Sequence, residues 1–162
     1  MIVHAGLIAR FTPAGWRGVL IEGPSGSGKS DLALRALEAG FRLVADDRTV
    51  LWACAGRLYG RAPASLAGLI EVRGLQVMAE PALAFCRVSL VVRCGGRIER
   101  MPEPEQAIYA GVAAPVVALA ALEASAPAKM RRALDDLGAE PEGAYQAGRA
   151  AGPSQPRHRG SR

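Results

Sequence analysis

The sequence predicts an α/β fold: a single P-loop domain built on a mixed sheet with flanking helices. Three observations predict it. A Gly/Ser-rich loop sits between an apolar run and a helix-patterned segment, short apolar runs recur between turn residues, and 162 residues suit one domain. Charged residues make up 22% of the chain, too few for a charge-rich disordered protein. Of the hydrophobic half, 31 residues are Ala, so the core must come from a modest set of larger side chains. No stretch reaches the roughly 18 apolar residues of a membrane helix. Met1 to Ala5 have neither the basic nor the apolar region of a secretory signal. A cytoplasmic domain with no membrane partner is therefore expected.

The elements follow in order. Residues 17–22, RGVLIE, predict a buried strand closed by Gly23. Residues 30–39 predict a helix with Leu34 and Leu37 on one face and Gly40 as its stop. Residues 41–45 predict the next strand, running into Asp46 and Asp47, and residues 49–54 and 57–59 flank Ala55-Gly56 as a hairpin. Residues 70–73 alternate as a strand does, and CRVSLVVRC at 86–94 is the plainest strand of the second half. Two later segments predict helices. One is 116–124; the other is 128–137, with Pro127 near its start, Met130, Leu134 and Leu137 on a stripe, and Gly138 after it. From about Gly143 the chain turns to Gly, Ala, Pro, Ser, Gln and Arg without periodicity. This predicts a domain over 1–142 and a disordered basic tail over 143–162. Cys54, Cys86 and Cys94 have no CxxC spacing and predict reduced core thiols rather than disulfides or a zinc site. With only His4 and His158 in the chain, a His-built metal site is not expected.

Gly23-Pro24-Ser25-Gly26-Ser27-Gly28-Lys29-Ser30 matches G-x-x-x-x-G-K-[ST] without a gap. The glycines let backbone N–H groups approach phosphate oxygens, and the following helix N-terminus attracts anions. Lys29 supplies a point charge for the β/γ phosphates, and the Ser30 hydroxyl can ligate Mg²⁺. The motif points to a nucleotide and leaves the reaction open. The next strand ends in Asp46 and Asp47, the form of a metal-binding acidic segment. Consecutive strand residues face opposite ways unless the strand has ended, so one carboxylate can serve Mg²⁺ while the other faces a nucleophile. A solvated turn opening the hairpin is the alternative.

GPSGSGKSDLAL, then FRLVADD, then EVRGL at 71–75 resemble the catalytic domain of the HPr serine kinase/phosphorylase family. The resemblance is firm through Leu75 and looser to about residue 138. It implies a fold related to phosphoenolpyruvate carboxykinase, and ATP- and Mg²⁺-dependent phosphorylation of a seryl residue on an HPr-like phosphocarrier. It also implies a homo-oligomer, a hexamer in many members. Carried over by position, Gly23, Ser25, Gly26, Ser27, Gly28, Lys29 and Ser30 would bind the nucleotide, with Ser30, Asp47 and Glu71 at the metal. Asp46 would take the seryl proton, with Asp47 beside it and His4 near. Arg73 would support the phosphate or the partner, and Asp31 fills the acidic position after the P-loop Ser. For His4 an ordinary strand position is the alternative, and for Glu71 and Arg73 an exposed strand ion pair.

Longer members carry an N-terminal domain of unrelated fold, which this chain is expected to lack, and a Pro-Gly-Arg-Asn stretch before their last helices. The comparable place here reads Ala113-Ala114-Pro115-Val116-Val117, so the resemblance supports the kinase direction over reverse phosphorolysis. Residues 123–129, EASAPAK, resemble the short-form members known mainly from alphaproteobacteria. Other functions fit the P-loop: a small-molecule kinase or NTPase, or a nucleotide-sensing module acting on a signalling partner. The net charge of +5 invites a nucleic-acid reading, but it sits in the tail. Arg149, Arg157, Arg159 and Arg162 follow the last acid, Glu142, leaving 16 basic and 15 acidic residues over 1–142. Only Lys29 and Lys129 are Lys in a chain that otherwise uses Arg, and Lys29 stands where phosphate chemistry wants an ammonium.

Overall fold

The computed structural model describes residues 1–138, so the predicted tail over 143–162 lies outside the described residues. The chain runs β1 (Ile2–Val3), β2 (Ala5–Thr12), β3 (Gly15–Glu22), α1 (Lys29–Glu38), β4 (Arg42–Ala45), β5 (Thr49–Cys54) and β6 (Arg57–Arg61). A short 3-10 turn at Ala64–Leu66 leads to β7 (Leu69–Glu71) and β8 (Val77–Ala79), then β9 (Cys86–Cys94), β10 (Glu105–Tyr109), β11 (Val112–Leu119) and α2 (Ala126–Asp136).

The main sheet is mixed and centres on β9. Along one edge β9 pairs parallel with β3; at its start it pairs antiparallel with β6 and at its end parallel with β11. A strand has two edges, so β6 and β11 share the second one, and the sheet forks there. One arm continues through β6, β5 and β1, and the other ends in the β10–β11 hairpin. Beyond β3 the sheet continues through β2 to β4.

Both faces of the central strands are covered, which is why their sequences read as nearly unbroken apolar runs. Side chains alternate between two buried clusters. Ile8, Val19, Ile21, Leu90 and Val92 pack beneath Leu32 and Ala36 of α1 and Met130 and Leu134 of α2. Leu7, Leu20 and Val91 face the other way, onto Leu51 and Leu58 of the curled β5–β6 arm and Val116 of β11. One extra residue in β9, Ser89, makes the pairing step from Gly18 opposite Val88 to Val19 opposite Leu90. That bulge sends Val88 and Leu90 to opposite faces.

The structure corrects several expectations. Residues 116–124 do not form a helix: Val112–Leu119 is strand and the chain turns after it. Its alanines favour a helix, but the vacant edge of β9 offers Val116 and Val117 a parallel ladder, and that pairing overrides local preference. On α1 the core takes Leu32, Ala33 and Ala36, while Leu37 is half-buried and Leu34 faces a cavity. On α2, Met130 and Leu134 are buried as expected, but Leu137 is largely exposed. Cys86 and Cys94 are buried thiols, with Cys86 pushed up to about 12 by burial, whereas Cys54 is exposed at the end of β5. The 70–73 strand is shorter, since β7 stops at Glu71 and Val72 and Arg73 lie in the turn to β8.

Candidate active site at the P-loop

Three parallel strands deliver their C-terminal ends to one place: β3 runs into the P-loop, β9 into Cys94-Gly95, and β11 into the 120–123 turn. Ligand crevices of α/β sheets lie at such ends. The loop is built tightly. A Cβ on Gly23, whose φ is +146, would lie 2.4 Å from the Cys94 carbonyl oxygen and 2.9 Å from Ser27 Oγ. Gly28 caps α1 in the left-handed region, and no side chain caps the helix, so the first-turn N–H groups have no intrahelical or side-chain acceptor. Lys29 Nζ donates to the carbonyls of Gly23 and Pro24, each at 2.9 Å, which holds its ammonium over the loop. Ser27 Oγ is buried with no hydrogen-bond partner.

The opposite wall comes from the ends of β4 and β7 and the joint between β1 and β2. β4 stops at Ala45, and Asp47 takes φ +60, a conformation Asp tolerates better than most residues. The strand having ended, the two carboxylates separate. Asp47 Oδ1 bonds to His4 Nε2. His4 reaches it because the chain leaves the β1–β5 ladder at Val3 and enters the β2–β4 ladder beside Ala45. Asp46 Oδ2 instead accepts the Glu71 N–H at 2.9 Å, tying the β7–β8 hairpin to the end of β4. Burial holds the Asp46 carboxyl above the usual carboxylate range; the Glu71 amide opposes that shift, and the Asp47 and Glu71 charges reinforce it.

Between these walls lies a cavity of about 260 Å³. Ser25, Gly26, Gly28, Lys29 and Ser30 line its loop side, and His4, Asp47, Glu71 and Arg73 its acidic side, with Asp31, Leu34 and Val72 between them. Of the residues expected at the site, Gly23, Ser27 and Asp46 do not line it: Gly23 and Ser27 shape the loop from behind, and Asp46 faces the hairpin backbone.

A magnesium-bound nucleotide fits these residues. The uncapped helix start and the Lys29 ammonium together suit a polyanion. Among the described residues no group of three or more His, Cys, Asp or Glu is poised as a metal site. Mg²⁺ characteristically uses one or two carboxylates plus phosphate oxygens and water, a set that Ser30, Asp47 and Glu71 can complete around bound phosphate.

Two features of the surroundings are new. Arg35 donates to the Ala121 carbonyl and, at 3.0 Å, to the Glu123 carbonyl, strapping the turn after β11 to α1. Its i,i+4 spacing from Asp31, to which it also bonds at 2.8 Å, is the sequence signal for it. Behind the loop, Glu22 accepts from the Tyr109 hydroxyl and from Arg93, which also bonds Glu105. Burial, with Glu22 beside it, raises the Tyr109 hydroxyl well above its ordinary value.

Fold and site define a P-loop α/β domain built on a mixed sheet. The sequence profile of the HPr Serine kinase C-terminal domain matches residues 3–83, and the chain belongs to that family. HPr kinase/phosphorylase of Clostridium tetani is 46% identical over 66 residues, 41% of this chain and 22% of that protein. The enzyme of the same name from Clostridium acetobutylicum is 44% identical over 66 residues, with the same coverage of 41% and 22%. The match thus spans about a fifth of the length of these relatives. Among solved structures, the Hpr(Ser) kinase/phosphatase from Coxiella burnetii superposes with a TM-score of 0.71 at 22% identity, over 83% of this chain and 88% of that one. That likeness establishes the shared fold. Among the described residues, no helix is long and apolar enough to cross a membrane.

Proposed function

We propose that the chain is an ATP- and Mg²⁺-dependent protein serine kinase whose acceptor is an HPr-like phosphocarrier, working in the direction of phosphorylation. The observation that carries this reading is the His4–Asp47 pair facing Lys29 and Ser30 across one cavity. Family membership and the names of the relatives support the choice of acceptor. Bound Mg-ATP supplies the phosphoryl group and neutralises its charge. Lys29 and the loop N–H groups would bind the phosphates, and Ser30 and Glu71 would hold the metal, which leaves Asp47 for the proton. As an Nε2–H donor, His4 fixes Asp47 through Oδ1 and leaves Oδ2 to take the seryl proton. Asp46 is assigned a positioning role: through the Glu71 N–H it sets where Glu71 and Arg73 stand. Arg73 steadies the transferred group or the acceptor at the cavity wall. The same reading places the protein in the cytoplasm as a homo-oligomer, a hexamer by family likeness.

Incubating the full chain with Mg-ATP and HPr should add the mass of one phosphate to HPr on a seryl residue. No gain in mass at saturating Mg-ATP would overturn the proposal. A second incubation with excess inorganic phosphate reads the reverse direction, for which little loss of phosphate is expected.

The raised carboxyl of Asp46 also gives a stability signature. Its folded value lies above its unfolded one, so the folded state holds the proton more tightly. The contribution of this one group is then fully present at acid pH and is lost as pH rises from about 4 through the folded value. Asp46→Asn removes this cost while its carbonyl can still accept the Glu71 N–H. The variant should melt at or above the wild-type temperature at pH 7, with the difference shrinking toward pH 4. A melting temperature well below wild type at pH 7, unchanged at pH 4, would show that the ionised carboxylate stabilises the fold.

A further inference from the structure

The turn after β11 holds an exposed leucine beside the phosphate loop. Leu122 is 73% exposed, whereas its neighbour Ala121 is buried. It lies against Gly28: a Cβ built there would be 2.9 Å from Leu122 Cδ2 and 3.2 Å from its Cγ. Single exposed apolar residues are common and by themselves signify nothing. This one is unusual in how firmly it is held. Arg35 grips the carbonyls on both sides of it, at Ala121 and Glu123. Glu123 N donates to the Ala120 carbonyl at 3.1 Å, Ala126 N to the Glu123 carbonyl at 3.0 Å, and the Glu123 carboxylate pairs with Lys129. A turn fixed by that many polar contacts presents one apolar side chain to solvent, at the C-terminal end of a parallel strand whose neighbours build the P-loop.

Leu122 is absent from the lining of the cavity that holds Asp47, Glu71 and Lys29, although Gly28 belongs to that lining. In the sheet β11 lies beyond β9 on one side of β3 and β4 lies beyond β2 on the other, so the turn that carries Leu122 stands across the P-loop strand from the acidic end of β4. A nucleotide whose terminal phosphate faces Asp47 must run its other end away from it, and the Leu122 turn lies in one such direction.

We propose that Leu122 is the apolar platform for the nucleoside end of the bound nucleotide, so that the Arg35-strapped turn discriminates a nucleoside triphosphate from bare polyphosphate. The assignment rests on the nucleotide reading of the P-loop. Its chemistry is that of an aliphatic face against a planar heterocycle, desolvating both. Because the turn is pre-ordered by Arg35 and Lys129, little conformational freedom is lost on binding.

The test compares Mg-ATP with Mg-tripolyphosphate, titrated calorimetrically into the full-length wild-type chain, Leu122→Ser and Leu122→Met. Expected is a loss of about fivefold to tenfold in Mg-ATP affinity for Leu122→Ser, largely restored in Leu122→Met, with tripolyphosphate affinity unchanged in both. Two results would overturn the platform alone: an equal loss for both ligands in Leu122→Ser, or unchanged Mg-ATP affinity. If the wild-type chain binds neither ligand, the nucleotide reading itself falls, and the platform with it. Circular dichroism of each variant shows that the fold is intact, and Arg35→Ala, which frees the turn without touching Leu122, should weaken Mg-ATP more than tripolyphosphate.

Discussion

Asp47→Asn should cut phosphoryl transfer by about 10²- to 10⁴-fold while leaving Mg-ATP affinity within a few fold. The carboxylate lines the cavity and bonds His4, so on the proposed reading its loss removes the proton acceptor. An amide of the same shape keeps the His4 contact through its carbonyl oxygen and cannot take a proton. Asp46→Asn is the comparison, because that carboxylate accepts a backbone N–H and does not line the cavity. Its effect on transfer should be smaller by at least about tenfold, as fits a group that acts through the position of Glu71. Single-turnover transfer to HPr, with Mg-ATP binding measured separately, distinguishes the two. If Asp46→Asn were the more damaging change, the proton acceptor would be Asp46, as family position alone implied.

Gly23→Ala should abolish measurable nucleotide binding while the sheet stays folded. The new Cβ would meet the Cys94 carbonyl and Ser27 Oγ, and φ +146 is a region that L side chains rarely adopt. Backbone cannot yield as a side-chain tip can, so either the loop or the Cys94-Gly95 turn must shift. Strain of this kind costs about 1–3 kcal/mol, and the distortion falls on the N–H groups that face phosphate. Gly26→Ala is the control, since its Cβ meets nothing within 4 Å and only the φ of +79 opposes it. Mg-ATP titrations should show the Gly23 change much the more severe, with far-ultraviolet circular dichroism unchanged in both. Equal effects would mean that conformational strain, and not the contact with Cys94, governs the loop.

Much of this site was legible because its chemistry is local in sequence. The P-loop places its glycines, Lys29 and Ser30 within one strand–loop–helix unit, and the carboxylate pair ends the next strand. Four things were hidden, each for a physical reason. The separation of the Asp46 and Asp47 carboxylates depends on where β4 stops and on the φ of Asp47, which no apolar pattern encodes. The strand at Val112–Leu119 was masked by alanines whose preference is overruled by an edge formed elsewhere. Ala5–Thr12 and Glu105–Tyr109 carry strand patterns too weak to predict an element, though β2 carries the chain from His4 into the sheet. The Glu22–Arg93–Tyr109 network behind the loop could not be seen without the β10–β11 hairpin that brings Tyr109 to it.

The parallel pairing of β3 with β9 also ties the phosphate loop to a distant part of the chain. Arg17 to Glu22 pair with Arg87 to Arg93, partners some seventy positions apart along the chain. Closing so large a loop has an entropic cost that must be met before any contact rewards it, which makes this a late event in folding. The P-loop needs the Cys94 carbonyl against Gly23 to take its shape. An intermediate holding only the N-terminal hairpin, α1 and the β5–β6 ribbon would carry the whole phosphate motif without the scaffold that shapes it. On the proposed reading, the phosphate loop takes its binding shape only with that closure, which requires the chain through Cys94.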